Sequence, residues 1–564
     1  MTDSVPSSAG PKVAHRWLAA VLLSLGVSVA VVAPFFWLGN ASGHDIAFHA
    51  SSWMDAAAQW KEGILFARWT EWANYGYGEP RFIFYPPISR LIGAAVGVLF
   101  GWVAAAPVFI ILVQTFSGVS AYGLARRFAP HRQSLIGAAC YVANPNSLLI
   151  IYVRSDYAEL LAIAFYPLLI LATIQLCGLL APEDRALTRR ILFFAIPFAA
   201  IWLSNAPAGV IATYAVAVIF VSAAILRKSC LPLVRGAAGL ILGFGLSAFY
   251  LFPAAYEQRW VNISQALSAG LTPAENFLFT SINDPDHNAF NRIASYVAVL
   301  LILLTLIAII AAWRRIESPN KLPAGLLALL AAASTLLMIR ITHPLWNVLP
   351  ELRFVQFPWR WMSILAVVFS VFFAIALTNR RRSWVWPVLV FLLLGGTATY
   401  LGRHTWWDQD DFPSVQDAIT QGQGFEGTDE YDPVGDDHLD LPQSQPQVHL
   451  LPAVKGSTVP SDSTFHVERW QSENRIISVN TSQRVLLAVR LLDYPAWAVT
   501  VNGYRVALHH EDGIAAMFVA LEPGTSHVEM RFLRTYDRRF ANHASIVALL
   551  AAILLAVFPL KSRT

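Results

Sequence analysis

Long apolar runs separated by short polar loops fill most of the chain, at about 17–38, 106–125, 134–152, 158–180, 190–204, 209–226, 236–253, 292–313, 322–340, 360–379, 384–401 and 543–560. A helix crosses a bilayer with roughly 20 apolar residues, so the pattern predicts a polytopic α-helical membrane protein with about twelve transmembrane helices. Polar residues collect in two places, a long first loop (39–105) and an insert (402–541) before the last run. The insert opens as an acidic, loop-like stretch, "DQDDFPSVQDAITQGQGFEGTDEYDPVGDD". From about 447 it alternates as strands do, in "TFHVERW", "RIISVNT", "RVLLAVRLL", "AWAVTV" and "HVEMRFL". Asn502-Gly503 stands between two alternating runs, the signature of a type I′ hairpin, and Pro523-Gly524 marks another turn. The expected organisation is a transmembrane module over 1–401 and a polar domain over 402–541 holding a β-sandwich from about 447. A final helix and tail, 542–564, complete it.

Only 13% of the 564 residues are charged and 56% are hydrophobic, against about 25% charged in soluble domains. The composition therefore supports the membrane reading. Lys12 and Arg16 precede the first run, which places the N-terminus in the cytoplasm. Alternate crossing then puts "RRFAPHR" (126–132), "PEDRALTRR" (182–190), "RKSCLPLVR" (227–235), "RRIESPNK" (314–321), "NRRR" (379–382) and the tail on that same side. Residues 88–104 are apolar enough to imitate a span. Counting them as one would move Arg126, Arg127 and Arg132 outside, so the segment reads as a juxtamembrane or re-entrant helix in the outer interface. The first run lacks a small-residue cleavage site and reads as a retained helix. The polar domain contains no cysteine, which excludes a disulfide framework there. No basic stripe points to nucleic acid.

The first loop begins "GHDIAFHASSWMD" (43–55). Residues from Ile46 to about Lys61 have the pattern of an amphipathic interfacial helix, with Asp45 at its N-terminus. Two readings of Asp45 are open. It can cap the helix by accepting backbone N–H bonds, or it can act with His49, one turn on and on the same face, to share a proton or hold a divalent cation. His44 points elsewhere and ranks lower. Further on, "YGYGEPRFIFYPPISR" (75–90) sets Glu79 and Arg81 among aromatic rings, suggesting a pocket at headgroup level.

An aspartate just after the first span, followed by "FYPP" leading into a juxtamembrane helix, resembles the GT-C glycosyltransferases. More closely, "HDIAFH", "YGYGEPRFIFYPP", "EGTDEYDP" and "FPWRW" resemble the bacterial membrane family labelled 6-pyruvoyl-tetrahydropterin synthase-related. The resemblance implies a polyprenyl-phosphate-sugar donor, a hexosyl or pentosyl group, and an acceptor on a cell-envelope glycan, lipid or protein outside a bacterial inner membrane. It implies inversion at the anomeric carbon, with Asp45 as general base and His49 orienting it or joining a cation. Arg154, Asp156 and Glu159 of "RSDYAE" would shape the donor site, with Glu79 and Arg81 also binding substrate, and Arg360 of "FPWRW" would pair with the lipid phosphate. Arg154 and Arg360 also fit as plain interfacial anchors, and the sandwich fits as a lid or partner-binding domain. Asp45 is followed by Ile46 rather than a second acid, a departure from the two-residue acidic motif of the familiar families that bears on metal dependence. The rival classes are a transporter or flippase for a lipid-linked sugar, and an assembly protein. A coupled transporter places ionisable groups at mid-membrane, whereas the charges here stand at the ends of the runs, which favours an enzyme at the interface.

Overall fold

A computed structural model describes residues 9–180, 186–378, 384–435, 441–443, 445–454, 456–511 and 514–558. Among them, 11 helices are long and apolar enough to cross a membrane, from Val13–Leu38 through Pro358–Ala376 and Val385–Arg403 to Tyr536–Val557. The span expected at 190–204 is the helix Leu187–Trp202, with 16 residues. At 1.5 Å per residue it reaches about 24 Å, short of the roughly 30 Å hydrocarbon core. It nevertheless packs between Tyr166–Leu176 and Leu231–Glu257, so its neighbours rather than its length place it in the bundle. The helix Pro358–Ala376 lies at the centre and is buried all round, as the run Met362–Ala376, apolar but for Ser363 and Ser370, requires. Tyr536–Val557 lies at the periphery and packs chiefly on Leu231–Glu257.

The basic loops meet at one end of this bundle. Asn320 Nδ2 donates to the Arg127 carbonyl at 3.4 Å, and Arg227 donates to the carbonyls of Cys177 and Gly178 at 3.1 and 2.6 Å. The clusters expected at 182–185, at 379–382 and in the tail lie outside the described residues. At the opposite end, the first polar loop folds into the helix Ile46–Lys61 and a second helix, Pro87–Phe100, whose 14 residues are too few to span. Contrary to the interfacial reading, Ile46–Lys61 is mostly buried in protein. Its Trp53 is fully enclosed, with Phe109, Tyr157 and Phe412 around it. Three aromatic neighbours drawn from distant segments explain why the local pattern read as amphipathic: the partner surface is invisible locally.

The polar domain forms two facing antiparallel sheets from β1 (Val448–Pro452), β2 (Thr464–Gln471), β3 (Asn474–Thr481), β4 (Val485–Leu492), β5 (Trp497–Val501), β6 (Tyr504–Arg505), β7 (His509–Glu511), β8 (Ile514–Leu521) and β9 (Gly524–Phe532). One sheet runs β1-β4-β8-β7 and the other β2-β3-β9-β5-β6. Asn502 and Gly503 both have positive φ (53° and 83°), which makes the expected type I′ turn between β5 and β6. Trp69 and Tyr77 of the first loop enter the sandwich core. Trp69 packs against Trp497 and Phe532, and Tyr77 accepts the Leu492 N–H at 3.0 Å. The sandwich is thus seated on the first loop rather than hanging from its two helices.

Cys230 is exposed in a basic loop, whereas Cys140 and Cys177 are buried. With the basic end in the cytoplasm, a membrane-impermeant maleimide should leave Cys230 unlabelled in intact cells and label it after permeabilisation. In a Cys230→Ser background, Ser414→Cys, exposed in the insert, should label without permeabilisation. Reversed labelling would invert the assigned orientation.

Candidate active site

The loop-one motif and the "RSDYAE" turn are joined backbone to backbone. Gly43 N–H donates to Ser155 Oγ at 3.1 Å, Ser155 Oγ donates to the Ala41 carbonyl at 2.6 Å, and Asp45 N–H donates to the Arg154 carbonyl at 2.9 Å. A Cβ on Gly43 would lie 2.5 Å from the Val153 oxygen and the Arg154 carbonyl carbon, so only glycine permits this approach. On the other side of the contact the chain makes a π-helical turn, Ile150–Arg154, and Ser155 adopts φ +56°. Both are features concentrated at functional sites. They end one helix and let Asp156 start the next, its Oδ1 accepting the Glu159 N–H at 2.8 Å.

Asp45 occupies the N-cap position of Ile46–Lys61, but its carboxylate makes no capping bond. Its carbonyl accepts the His49 N–H at 3.1 Å, the first bond of the helix ladder. The carboxylate is left with 37% of the side chain exposed and one long contact, 3.4 Å to Arg154 Nη2. His49 does not orient it. The imidazole is buried, and its Nε2 accepts the Tyr157 N–H at 3.1 Å and lies 3.7 Å from Asp156 Oδ1. His49 therefore supports the "RSDYAE" turn.

Behind Asp45 lies a buried ion cluster. Arg154 pairs with Glu159 and, at 3.0 Å, with Asp156. Arg360 donates to Glu159 at 3.0 Å and to the Val355 carbonyl at 2.9 Å, and lies 3.6 Å from Asp156. Two guanidiniums thus face the carboxyls of Asp45, Asp156 and Glu159. Burial and the Asp156 carboxylate raise the pKa of Asp45, with Arg154, His49 and Arg360 opposing. For Asp156 burial also raises the pKa, but Arg154, helped by His49 and Arg360, outweighs it and holds this carboxyl well below the usual range. Two neighbouring acids are therefore pushed apart, one toward proton uptake and one fixed as an anion. Asp156 and Glu159 spend their oxygens on these partners, and no group of three or more His, Cys, Asp or Glu among the described residues is arranged to hold a metal.

The cluster opens into a cavity of about 510 Å³, lined by Asp45, Arg154, Asp156 and Arg360 together with residues from elsewhere in the chain. Glu159 lies beneath it. Glu79 and Arg81 do not reach it. They form a buried pair behind the wall that clasps the insert: Arg81 Nη2 donates to Thr428 Oγ1 at 3.1 Å, and Glu79 accepts the Thr428 N–H at 3.0 Å. The clasp carries Thr428, Glu430 and Tyr431 into the cavity lining, with Tyr431 stacked on Phe84 at 5.8 Å. Burial, with the Glu79 carboxylate behind it, pushes the Glu430 carboxyl up to about 7. Tyr85, Asn205 and Gln356 complete the polar lining with His44, which ranked low from sequence and stands edge-on to Phe290 at 4.8 Å. Glu430 was legible only as part of "EGTDEYDP"; nothing local marks it as facing Asp45's cavity. Gln356, at φ +63°, bore no sequence signal.

No curated protein matches the chain. The chain is similar to several solved structures at low identity. One is ArnT from Cupriavidus metallidurans bound to undecaprenyl phosphate, with TM-score 0.41 and 12% identity, covering 69% of this chain and 64% of that one. Another is the Archaeoglobus fulgidus oligosaccharyltransferase in its apo form, with TM-score 0.39 and 14% identity, covering 73% of this chain and 56% of that one. The chain thus spans under two thirds of the length of either. Residues 82–401, more than half of the chain, match the model of the 6-pyruvoyl-tetrahydropterin synthase related domain, described as a membrane protein. This stretch includes the "FIFYPP" wall, the "RSDYAE" turn and Arg360, and the chain belongs to that family of membrane proteins.

Proposed function

We propose that the chain is a glycosyltransferase moving a hexosyl or pentosyl group from a polyprenyl-phosphate donor to a cell-envelope acceptor, outside a bacterial inner membrane. The observation that carries this reading is Asp45: a carboxylate free of capping duty, part-exposed in a cavity at the end of the spans, with a raised pKa and a guanidinium beside it. A general base must reach its proton first and have a suitable pKa second, and Asp45 supports both.

In the proposed step the Asp45 carboxylate takes the proton of an acceptor hydroxyl. The hydroxyl oxygen attacks the anomeric carbon, and the bond from that carbon to the phosphate oxygen breaks, its electron pair leaving with the polyprenyl phosphate. Proton uptake by Asp45 removes one of the cluster's three negative charges. The two guanidiniums are then balanced by Asp156 and Glu159 alone, so their field favours the leaving phosphate more than it did before the step. The donor lipid is of the class named in the ArnT structure, which holds undecaprenyl phosphate. Glu430, on the insert and lining the same cavity as Asp45, would hydrogen-bond sugar hydroxyls.

A transporter reading asks for ionisable residues at mid-span. Arg154 and Arg360 stand within a turn or so of the ends of their spans, which favours the enzyme.

Asp45→Asn should lower transfer by about 10²–10⁴-fold while expression and insertion stay normal, measured as release of polyprenyl phosphate from a panel of hexosyl and pentosyl donors in membranes. Wild-type turnover by Asp45→Asn would sink the assignment. Because the Asp45 pKa is raised, the base form is gained as pH rises, so the acid limb of the wild-type rate profile should sit above the ordinary aspartate range. A limb centred near pH 4 would contradict this. Gly43→Val keeps every charge yet forces loop one off the Val153–Arg154 backbone, and should cost activity by at least tenfold through misplacement. Unchanged turnover in Gly43→Val would show that the backbone junction does not position Asp45.

A further inference from the structure

The short helix Arg81–Phe84 separates two cavities. Phe84 and Tyr85 line the one holding Asp45, whereas Phe82 and Ile83 line a second, of about 570 Å³. The second cavity has no part in the chemistry proposed above. Its walls come from the sheet-side end of two spans, with Phe249, Tyr250 and Pro253 near the end of Leu231–Glu257 and Arg538 and Asn542 near the start of Tyr536–Val557. The sandwich closes it with Glu473 and Arg534.

Its charges are arranged unevenly. Arg68 is matched by Glu473 at 2.9 Å, and Arg538 is matched by Glu257 through two bonds of 2.6 Å. Arg534 also lines the cavity, is exposed, and its guanidinium has no hydrogen bond or ion pair among the described residues. One uncompensated cation therefore faces a cavity whose remaining wall is largely aromatic and aliphatic. Two of its lining residues are apolar and exposed, Leu65 at 75% and Phe66 at 40%, and outside the cavity Tyr536 and Phe540 are 88% and 62% exposed on the first turns of the last helix. Exposed rings at the end of a span mark the headgroup level of a bilayer.

We propose that this cavity binds the headgroup of an anionic bilayer phospholipid, its phosphate on Arg534 and the start of its acyl chains against Leu65 and Phe66. A free phosphate would leave the apolar wall unused. A zwitterionic headgroup would bring its own cation toward Arg534. The lipid would press on Phe82 and Ile83, and thus on the back of the wall that carries Tyr85, without entering the reaction. The proposal does not depend on which reaction the Asp45 cavity runs.

Native mass spectrometry of the full-length protein in detergent tests it, with phosphatidylglycerol, phosphatidylcholine and inorganic phosphate as separate probes. Phosphatidylglycerol should bind wild type at least about tenfold more tightly than phosphatidylcholine, and Arg534→Ala should lose about tenfold or more of that affinity. Arg534→Lys should recover part of it, and Leu65→Glu, which places an anion at the exposed mouth, should weaken it. Arg534 and Leu65 are both exposed, so neither change threatens the fold. Wild-type phosphatidylglycerol affinity in Arg534→Ala, or equal binding of phosphatidylcholine, would overturn the site. Inorganic phosphate binding as tightly as phosphatidylglycerol would replace the lipid by a soluble anion and overturn the assignment equally.

Discussion

Arg154 and Arg360 are buried charges, and the architecture around the site follows from the need to pair them. Each guanidinium would cost several kcal/mol to bury unpaired, and Glu159 answers both from the first turn of a third helix. That single carboxylate ties together the ends of the spans His131–Arg154, Tyr157–Leu176 and Pro358–Ala376. Asp156 adds a second anion on the same side. Such a cluster is weak evidence for stability, since well-packed apolar residues often serve as well. Its effect is positional: the three helix ends can meet in few ways that satisfy every charge.

Asp45 gains its character from what this cluster leaves over. The two guanidiniums are already balanced by Asp156 and Glu159, so a third carboxyl brought within 3.4 Å of Arg154 is incompletely compensated. Its neighbour Asp156, on the same guanidinium, is held ionised at its expense. Gly43 and the left-handed Ser155 bring the two acids into this competition by letting two backbones touch. Chemistry here is thus set by backbone contact as much as by the identity of the acid.

The insert closes the site from outside. Thr428 is gripped by Glu79 and Arg81 across 347 or more residues of chain, and the sandwich beyond it rests on Trp69 and Tyr77. Glu79 and Arg81, expected from sequence to bind substrate, stand outside the cavity lining and hold Thr428, two residues before Glu430.

The sequence by itself determined the polytopic helical character, the polar insert, the hairpin at Asn502-Gly503 and the acids and arginines worth watching. Each of these is written in a local signal: apolar length, period-two alternation, a turn dipeptide, a charge where a span ends. Only the tertiary structure decided what those charges touch. Glu79 and Glu430 are both acids among aromatics, and nothing within ten residues of either tells a clasp on Thr428 from a cavity wall. His49 shares a helix face with Asp45 yet serves Tyr157 and Asp156, because its partner arrives from 108 residues away. Local periodicity reports the face a residue occupies, while pairing and desolvation depend on which distant segment covers that face.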